Sequence, residues 1–174
     1  MGAPDEELML AYRDGDAGAF EMLYARHRGA LYRFMRRSLK DRATAEELFQ
    51  EAWIRVIEAR SRYAATARFT TWLYTIAHNL MVDHWRRKGL TLVELSDEHA
   101  SADNPARQVE ARESVARFLG ALETLPPVQR EAFLLHEEAG MTVAEIAAAT
   151  GSNEEAAKSR LRYAVAKLKA AVDE

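Results

Sequence analysis

The sequence predicts an all-α chain: two helical bundle domains joined by a flexible linker, the C-terminal one containing a helix-turn-helix. Three observations predict it. Apolar residues recur at spacings of three and four through the long segments, which is the period of a helix with one buried face. Ser/Thr-x-x-Glu pairs stand at several expected helix starts, where hydroxyl and carboxylate satisfy amide donors that an opening helix leaves free. The period then fails across residues 89–104, GLTLVELSDEHASADN, which are polar, acidic and small. That break is read as the linker between domains 1–88 and 105–174.

Taken in order, the first expected helix starts at Asp16 or a neighbour and runs to about Lys40. Its stripe is Phe20, Leu23, Tyr24, His27, Leu31, Phe34 and Met35, which makes His27 a core or boundary residue rather than a ligand. Thr44 with Glu47 predicts a capping box for a second helix from Ala45 to about Arg60. Leu48, Phe49, Ala52, Trp53, Val56 and Ile57 form its apolar band. Glu46, Glu47, Gln50, Glu51 and Glu58 make the other face acidic, as either an ordinary solvated surface or a docking face for a basic partner. Residues 61–68, SRYAATAR, have loop chemistry, with two arginines and one aromatic, Tyr63, expected at the surface.

The third helix, FTTWLYTIAHNLMVDHWRRK, is expected from near Thr70 and buries Leu73, Ile76, Ala77 and Leu80, with His84 as a further candidate. A second stripe of Trp72, Thr75, Asn79, Asp83 and Arg86 runs beside it and ends in Arg86-Arg87-Lys88. Aromatics interleaved with cations suit a surface that stacks bases while neutralising phosphates. Trp72, Tyr74 and Trp85 are equally candidates for the core, and at least one is expected there. After the linker, Asn104-Pro105 opens a helix whose buried side is Val109, Val115, Leu119 and Leu122, continuing to Leu125. Pro126-Pro127 breaks it. A helix from Val128 to Ala139 carries Phe133, Leu134 and Leu135, and Gly140 closes it.

Residues 142–169, TVAEIAAATGSNEEAAKSRLRYAVAKLK, read as two helices around the turn Gly151-Ser152-Asn153. Thr142 with Glu145 and Ser152 with Glu155 predict a capping box for each. The first helix buries Val143, Ile146 and Ala147. The second buries Ala157, Leu161, Ala164 or Val165, and Leu168. Its opposite face offers Lys158, Ser159, Arg162 and Tyr163, with Lys167 one turn on. Between Ala156 and Val172 stand five basic residues and no acidic one, whereas a merely solvated helix mixes signs to gain i,i+4 pairs. This is the pattern of a recognition helix able to enter a major groove.

Over 174 residues the net charge is −3, which taken alone argues against a phosphate-rich partner. Its distribution reverses that inference: residues 1–88 carry 15 basic and 12 acidic side chains, hence +3, whereas 89–127 carry 3 and 7, hence −4, and 128–174 carry 6 and 8, hence −2. Cysteine is absent, which excludes disulfides and thiolate metal sites and suits a reducing cytoplasm. The acidic N-terminus is not a signal peptide, and no apolar run approaches the roughly 18 residues of a membrane span. His78, Asp83 and His84 lack the two histidines four apart that a zinc helix requires. No nucleophile-base pair or glycine-rich phosphate loop stands out, so no metal, cofactor or catalytic residue is expected.

On these residues the chain resembles one family. AEELFQEAWIRV and FTTWLYTIAHNLMVDHWRRK resemble regions 2.2 and 2.3–2.4 of bacterial RNA polymerase sigma factors, and LPPVQREAFLLHEEAGMTVAEIAAATGSNEEAAKSRLRYAVAKL resembles their region 4. The order and the linker are similar to the small extracytoplasmic-function (ECF) group. The resemblance implies a cytoplasmic, non-enzymatic initiation factor that binds core RNA polymerase, at the β′ clamp helices and β flap, and promoter DNA. It also implies masking by an anti-sigma factor. Glu46, Glu47, Gln50, Glu51 and Trp53 would dock on polymerase. Tyr63, Arg68, Phe69, Trp72, Asn79, Asp83, Arg86 and Arg87 would read and open the −10 element by capturing a flipped base. Lys158, Ser159, Arg160, Arg162, Tyr163 and Lys167 would read the −35 element. Glu155-Ala156-Ala157 and Tyr163 depart from the family pattern, so the −35 sequence is not carried over. Two rival classes are a stand-alone helix-turn-helix regulator with a dimerising or sensing N-terminal bundle, and a helical enzyme using His78, Asp83 and His84.

Overall fold

The computed structural model describes residues 2–90 and 114–173. The expected linker from residue 91 onward, and the expected helix start at Asn104-Pro105 with Val109, lie outside them. The described residues are all-α, in two bundles.

The first element, α1 (Asp5–Arg13), has no counterpart among the elements the sequence predicts. It opens with three acids, Asp5, Glu6 and Glu7, at the end of a helix that favours negative charge, and it buries Leu8 and Met9. Asp16 then caps α2 (Ala17–Ser38), its carboxylate accepting from the amides of Gly18 at 3.0 Å and Ala19 at 3.3 Å. Leu23, Leu31, Phe34 and Met35 are fully enclosed, as their period predicts. His27 sits half-buried and bonds Asp5 of α1 at 2.8 Å, the boundary role expected of it.

Two expected capping boxes are corrected. In α3 (Arg42–Ala59) the cap is Asp41, which accepts from the Thr44 amide at 3.3 Å and the Thr44 hydroxyl at 2.7 Å. Thr44 therefore lies inside the first turn, as the residue whose amide Asp41 caps rather than as the cap itself. A single 3-10 turn, Arg60–Arg62, leads to α4 (Phe69–Arg87). Burial on α4 takes in Tyr74, Met81 and Trp85 beside Leu73, Ala77 and Leu80, whereas Ile76 and His84 are only half-buried.

In the second bundle α5 (Ser114–Thr124) reaches the proline pair, and Pro126 precedes α6 (Pro127–Ala139). Gly140 ends α6 at φ +64°, a left-handed position that glycine occupies without Cβ strain. The Thr142–Glu145 capping box of α7 (Val143–Thr150) forms as expected, and Gly151 closes it at φ +65°. The second correction falls on α8 (Glu154–Asp173): Asn153, not Ser152, accepts from the Ala156 amide at 2.7 Å. The Ser152 hydroxyl pairs instead with that of Thr150 at 2.9 Å. Of the alternatives on α8, Ala164 is buried and Val165 is exposed.

The bundles meet where α2 lies against α6 and α4 against α7. Polar groups cross this contact. Arg130 is buried on α6 and donates to Ser38 O of α2 at 2.7 Å, while its other nitrogen reaches Leu125 O at 2.9 Å.

Candidate nucleic-acid and docking surfaces

Each surface forms because a helix that buries one side must present the other. On α8, Ala157, Ala164 and Leu168 turn inward, against α5, α6 and α7. Lys158, Arg162 and Tyr163 consequently stand exposed along the outer side, with Ser159, Arg160 and Lys167 half-buried at its edges. The Arg162 guanidinium lies 5.5 Å from the Tyr163 ring centroid, an attraction of cation for ring face that gathers the two most groove-like side chains. The structure thus brings all six residues of the expected −35 set onto one helix.

The expected −10 set divides in two. Asn79, Asp83, Arg86 and Arg87 are exposed along α4, and Arg68 is exposed just before it. Tyr63, Phe69 and Trp72 instead form an inward aromatic cluster, with centroids 5.1 Å apart for Tyr63–Trp72, 5.9 Å for Phe69–Trp72 and 6.4 Å for Tyr63–Phe69. Tyr63, expected at the surface, is buried, as is Phe69; only Trp72 keeps partial access. Burial, reinforced by the negative Glu6 and Asp5, pushes the Tyr63 phenol up to about 12. α1 supplies the clasp. Glu6 accepts the Phe69 amide at 2.6 Å, capping α4, and Arg13 donates to Tyr63 O at 3.3 Å. Of the three aromatics expected at core or stripe, Tyr74 and Trp85 belong to the core.

On α3, Glu47 and Gln50 are exposed and Glu46 and Glu51 partly so. Glu46 accepts from Arg42 at 3.0 Å and Tyr32 at 3.1 Å, and these two bonds hold its carboxyl below the usual range. Glu51 accepts from Arg55 at 3.2 Å. Trp53, expected beside them, is buried between Phe20 and Tyr24, with ring centroids 6.0 and 5.0 Å away. Ile57, expected in the apolar band of α3, is exposed, and so is Ile54, which belongs to none of the expected faces. Ile54 follows Gln50 by four and Glu51 by three, so helical spacing alone puts it on the acidic face.

Among the described residues no group of three His, Cys, Asp or Glu is gathered closely enough to hold a metal ion. His78 bonds Glu131 of α6 at 2.6 Å and is not gathered with Asp83 and His84. No helix among the described residues is long and apolar enough to cross a membrane.

A helix-turn-helix bundle preceded by a bundle with a polar-aromatic helix is the layout of a two-domain DNA-binding protein. The Sigma-70 region 2 model matches residues 23–91 and the Sigma-70, region 4 model matches residues 116–168. The RNA polymerase sigma factor CarQ of Myxococcus xanthus is 35% identical over 162 residues, covering 92% of this chain and 93% of that one. The ECF sigma factor BldN of Streptomyces coelicolor is 34% identical over 90% of this chain, which spans 61% of that longer protein. The solved structure of CnrH, in complex with the cytosolic domain of CnrY, matches at a TM-score of 0.72 with 27% identity, covering 97% of each chain. The chain belongs to the ECF RNA polymerase sigma factors, which direct promoter-specific transcription initiation.

Proposed function

We propose that the outer face of α8 reads the −35 element and that α4 with the loop before it reads and opens the −10 element. The observation that carries this reading is the sorting of α8: Lys158, Arg162 and Tyr163 stand exposed along one outward side of a helix-turn-helix, with Ser159, Arg160 and Lys167 half-buried at its edges. Arg162 and Lys158 meet base edges or phosphate in the major groove, Ser159 and Tyr163 adjust register, and Arg160 and Lys167 hold the backbone. Arg68, Arg86 and Arg87 take phosphates on the −10 side. Asn79 and Asp83 offer hydrogen-bonding groups to an extruded base, and Trp72 offers a ring edge of the aromatic cluster beside it.

On the polymerase side, the acidic α3 face with Ile54 and Ile57 docks on the β′ clamp helices, and the C-terminal bundle meets the β flap. Domains 1–88 and 105–174 are the two working units, with 89–104 as the connection. The protein acts in the cytoplasm and catalyses nothing itself. A protein partner that masks these surfaces is in line with the likeness to CnrH, solved in complex with the cytosolic domain of CnrY. Run-off transcription with purified core polymerase on a promoter library tests the reading. Redirected initiation at a defined pair of elements is expected. Tight duplex binding by the chain alone, with no redirected start, would instead mark a stand-alone regulator.

A further inference from the structure

The stretch between the 3-10 turn and α4 does not place itself. Residues 64–68, AATAR, bury no side chain, so no packing of their own fixes their backbone. Arg68 stands at the cap position of α4 without supplying a side-chain cap. Two bonds from α1 provide what the stretch lacks. Arg13 Nη1 donates to Tyr63 O at 3.3 Å, and the Phe69 amide donates to Glu6 Oε2 at 2.6 Å. These are the peptide units on either side of the exposed run: one joins residues 63 and 64, the other residues 68 and 69. Each bond has a charged partner, which makes it stronger than a neutral one.

α1 is itself secured at both ends. Asp5 accepts from Arg26 at 2.9 Å and pairs with His27 at 2.8 Å, while Arg26 also donates to Ala3 O at 2.7 Å. Leu8 and Met9 are buried in the middle of the helix. Near its end, Tyr12 packs on Phe20 with ring centroids 4.8 Å apart, and the Arg60 guanidinium lies 5.5 Å from the Tyr12 ring. A helix fastened to α2 in this way offers fixed points to both ends of the run.

We propose that α1 is the frame that pre-sets the base-capturing loop. Glu6 and Arg13 are its positioning residues: they touch no DNA themselves and hold residues 64–68 in the shape that an extruded base requires. The inference rests on the −10 reading given above and adds the element that makes the loop competent. A loop pinned before the base arrives loses less conformational freedom on capture, which raises affinity without any new contact. The alanine-rich run suits this arrangement, because Ala64, Ala65, Thr66 and Ala67 are too short to be held by distant neighbours. Arg68 reaches Glu145 of α7 at 3.2 Å, but through its guanidinium rather than its backbone. The two flanking peptides therefore carry the constraint.

The test uses the full chain assembled with core polymerase. Single-stranded −10 oligonucleotides, each with one abasic site in turn, locate the captured base as the position where its loss weakens binding by the parent. There Glu6→Ala and Arg13→Met should each cut the preference for the intact over the abasic strand about fivefold. Opening of the duplex promoter, followed by 2-aminopurine fluorescence, should slow by a similar factor. Glu6→Gln keeps an acceptor oxygen for the Phe69 amide and should recover most of the preference. Glu7→Ala removes a charge from the same first turn of α1 at an exposed position and should behave as the parent. Loss of bundle stability alone would weaken binding of intact and abasic strands alike and leave the preference where it was. Arg13 is exposed, so Arg13→Met leaves the core untouched and decides the matter even where Glu6→Ala folds poorly. A preference unchanged in Arg13→Met and Glu6→Ala, or lost equally in Glu7→Ala, overturns the proposal and leaves the −10 reading standing. A parent with no sensitive position rejects the −10 reading and takes the proposal with it.

Discussion

At the scale of single residues, charge placement decides most of what this chain does. Lys158 and Arg162 project from the same side of α8 but stand to contribute differently. A guanidinium can grip a base edge with two parallel bonds, whereas an ammonium acts on phosphate as a point charge. Arg162→Ala is expected to cost about 1–3 kcal/mol at one −35 position and to relax the base preference there. Lys158→Ala should weaken binding about equally on all sequences and reduce the salt slope by about 1. Holoenzyme binding to −35 variants across a salt series separates the two outcomes. Glu145 gives a titration. Its carboxyl sits below its ordinary value of 4.5 chiefly because it accepts the Thr142 amide, with Arg68 adding to the effect. A depressed folded-state value means stability that is present above 4.5 and lost as pH falls through the folded value. Glu145→Gln should therefore be less stable than the parent by about 0.5–1 kcal/mol at pH 7, and that gap should close in acid; denaturant titrations at pH 7 and below pH 4 measure it.

At the scale of elements, the sequence is legible wherever one face of a long helix carries a sustained period. α2, α4 and α8 lie within a few residues of where that period predicts them, because burying Leu23, Leu31, Phe34, Leu73 and Leu168 leaves little freedom in phase. Helix starts are less legible, since neighbouring polar residues offer alternative caps, each for its own free amide. Asp41 displaces Thr44, and Asn153 displaces Ser152, while Thr142 has no such rival and caps α7 as expected. Asn153→Ala should accordingly destabilise the C-terminal bundle by about 1 kcal/mol, while Ser152→Ala costs less than half as much; thermal unfolding of the two variants decides between the caps. α1 is illegible because nine residues with two buried apolar side chains carry too little pattern. Its value emerges only in three dimensions, where Glu6 caps α4 and Asp5 meets His27 and Arg26. The aromatic cluster is half legible: composition puts Tyr63, Phe69 and Trp72 together, but no period says which of them face inward.

For the whole molecule, the contacts that set its state join residues some 50 to 105 positions apart, such as Arg33 with Glu138 and His78 with Glu131. Local pattern cannot encode such pairs, although the opposite charges of the two segments foreshadow them. On the reading proposed above, polymerase supplies a surface for α3. The α3 face can be tested by itself, because Glu47 and Glu51 belong to no ion pair between the bundles among the described residues. Glu47→Lys with Glu51→Lys should weaken association with core polymerase roughly tenfold or more, with the loss mainly in the rate of association and smaller at high salt. The helix content of the free chain should remain as it is. Normal assembly of the reversed protein with polymerase would remove α3 as the docking face.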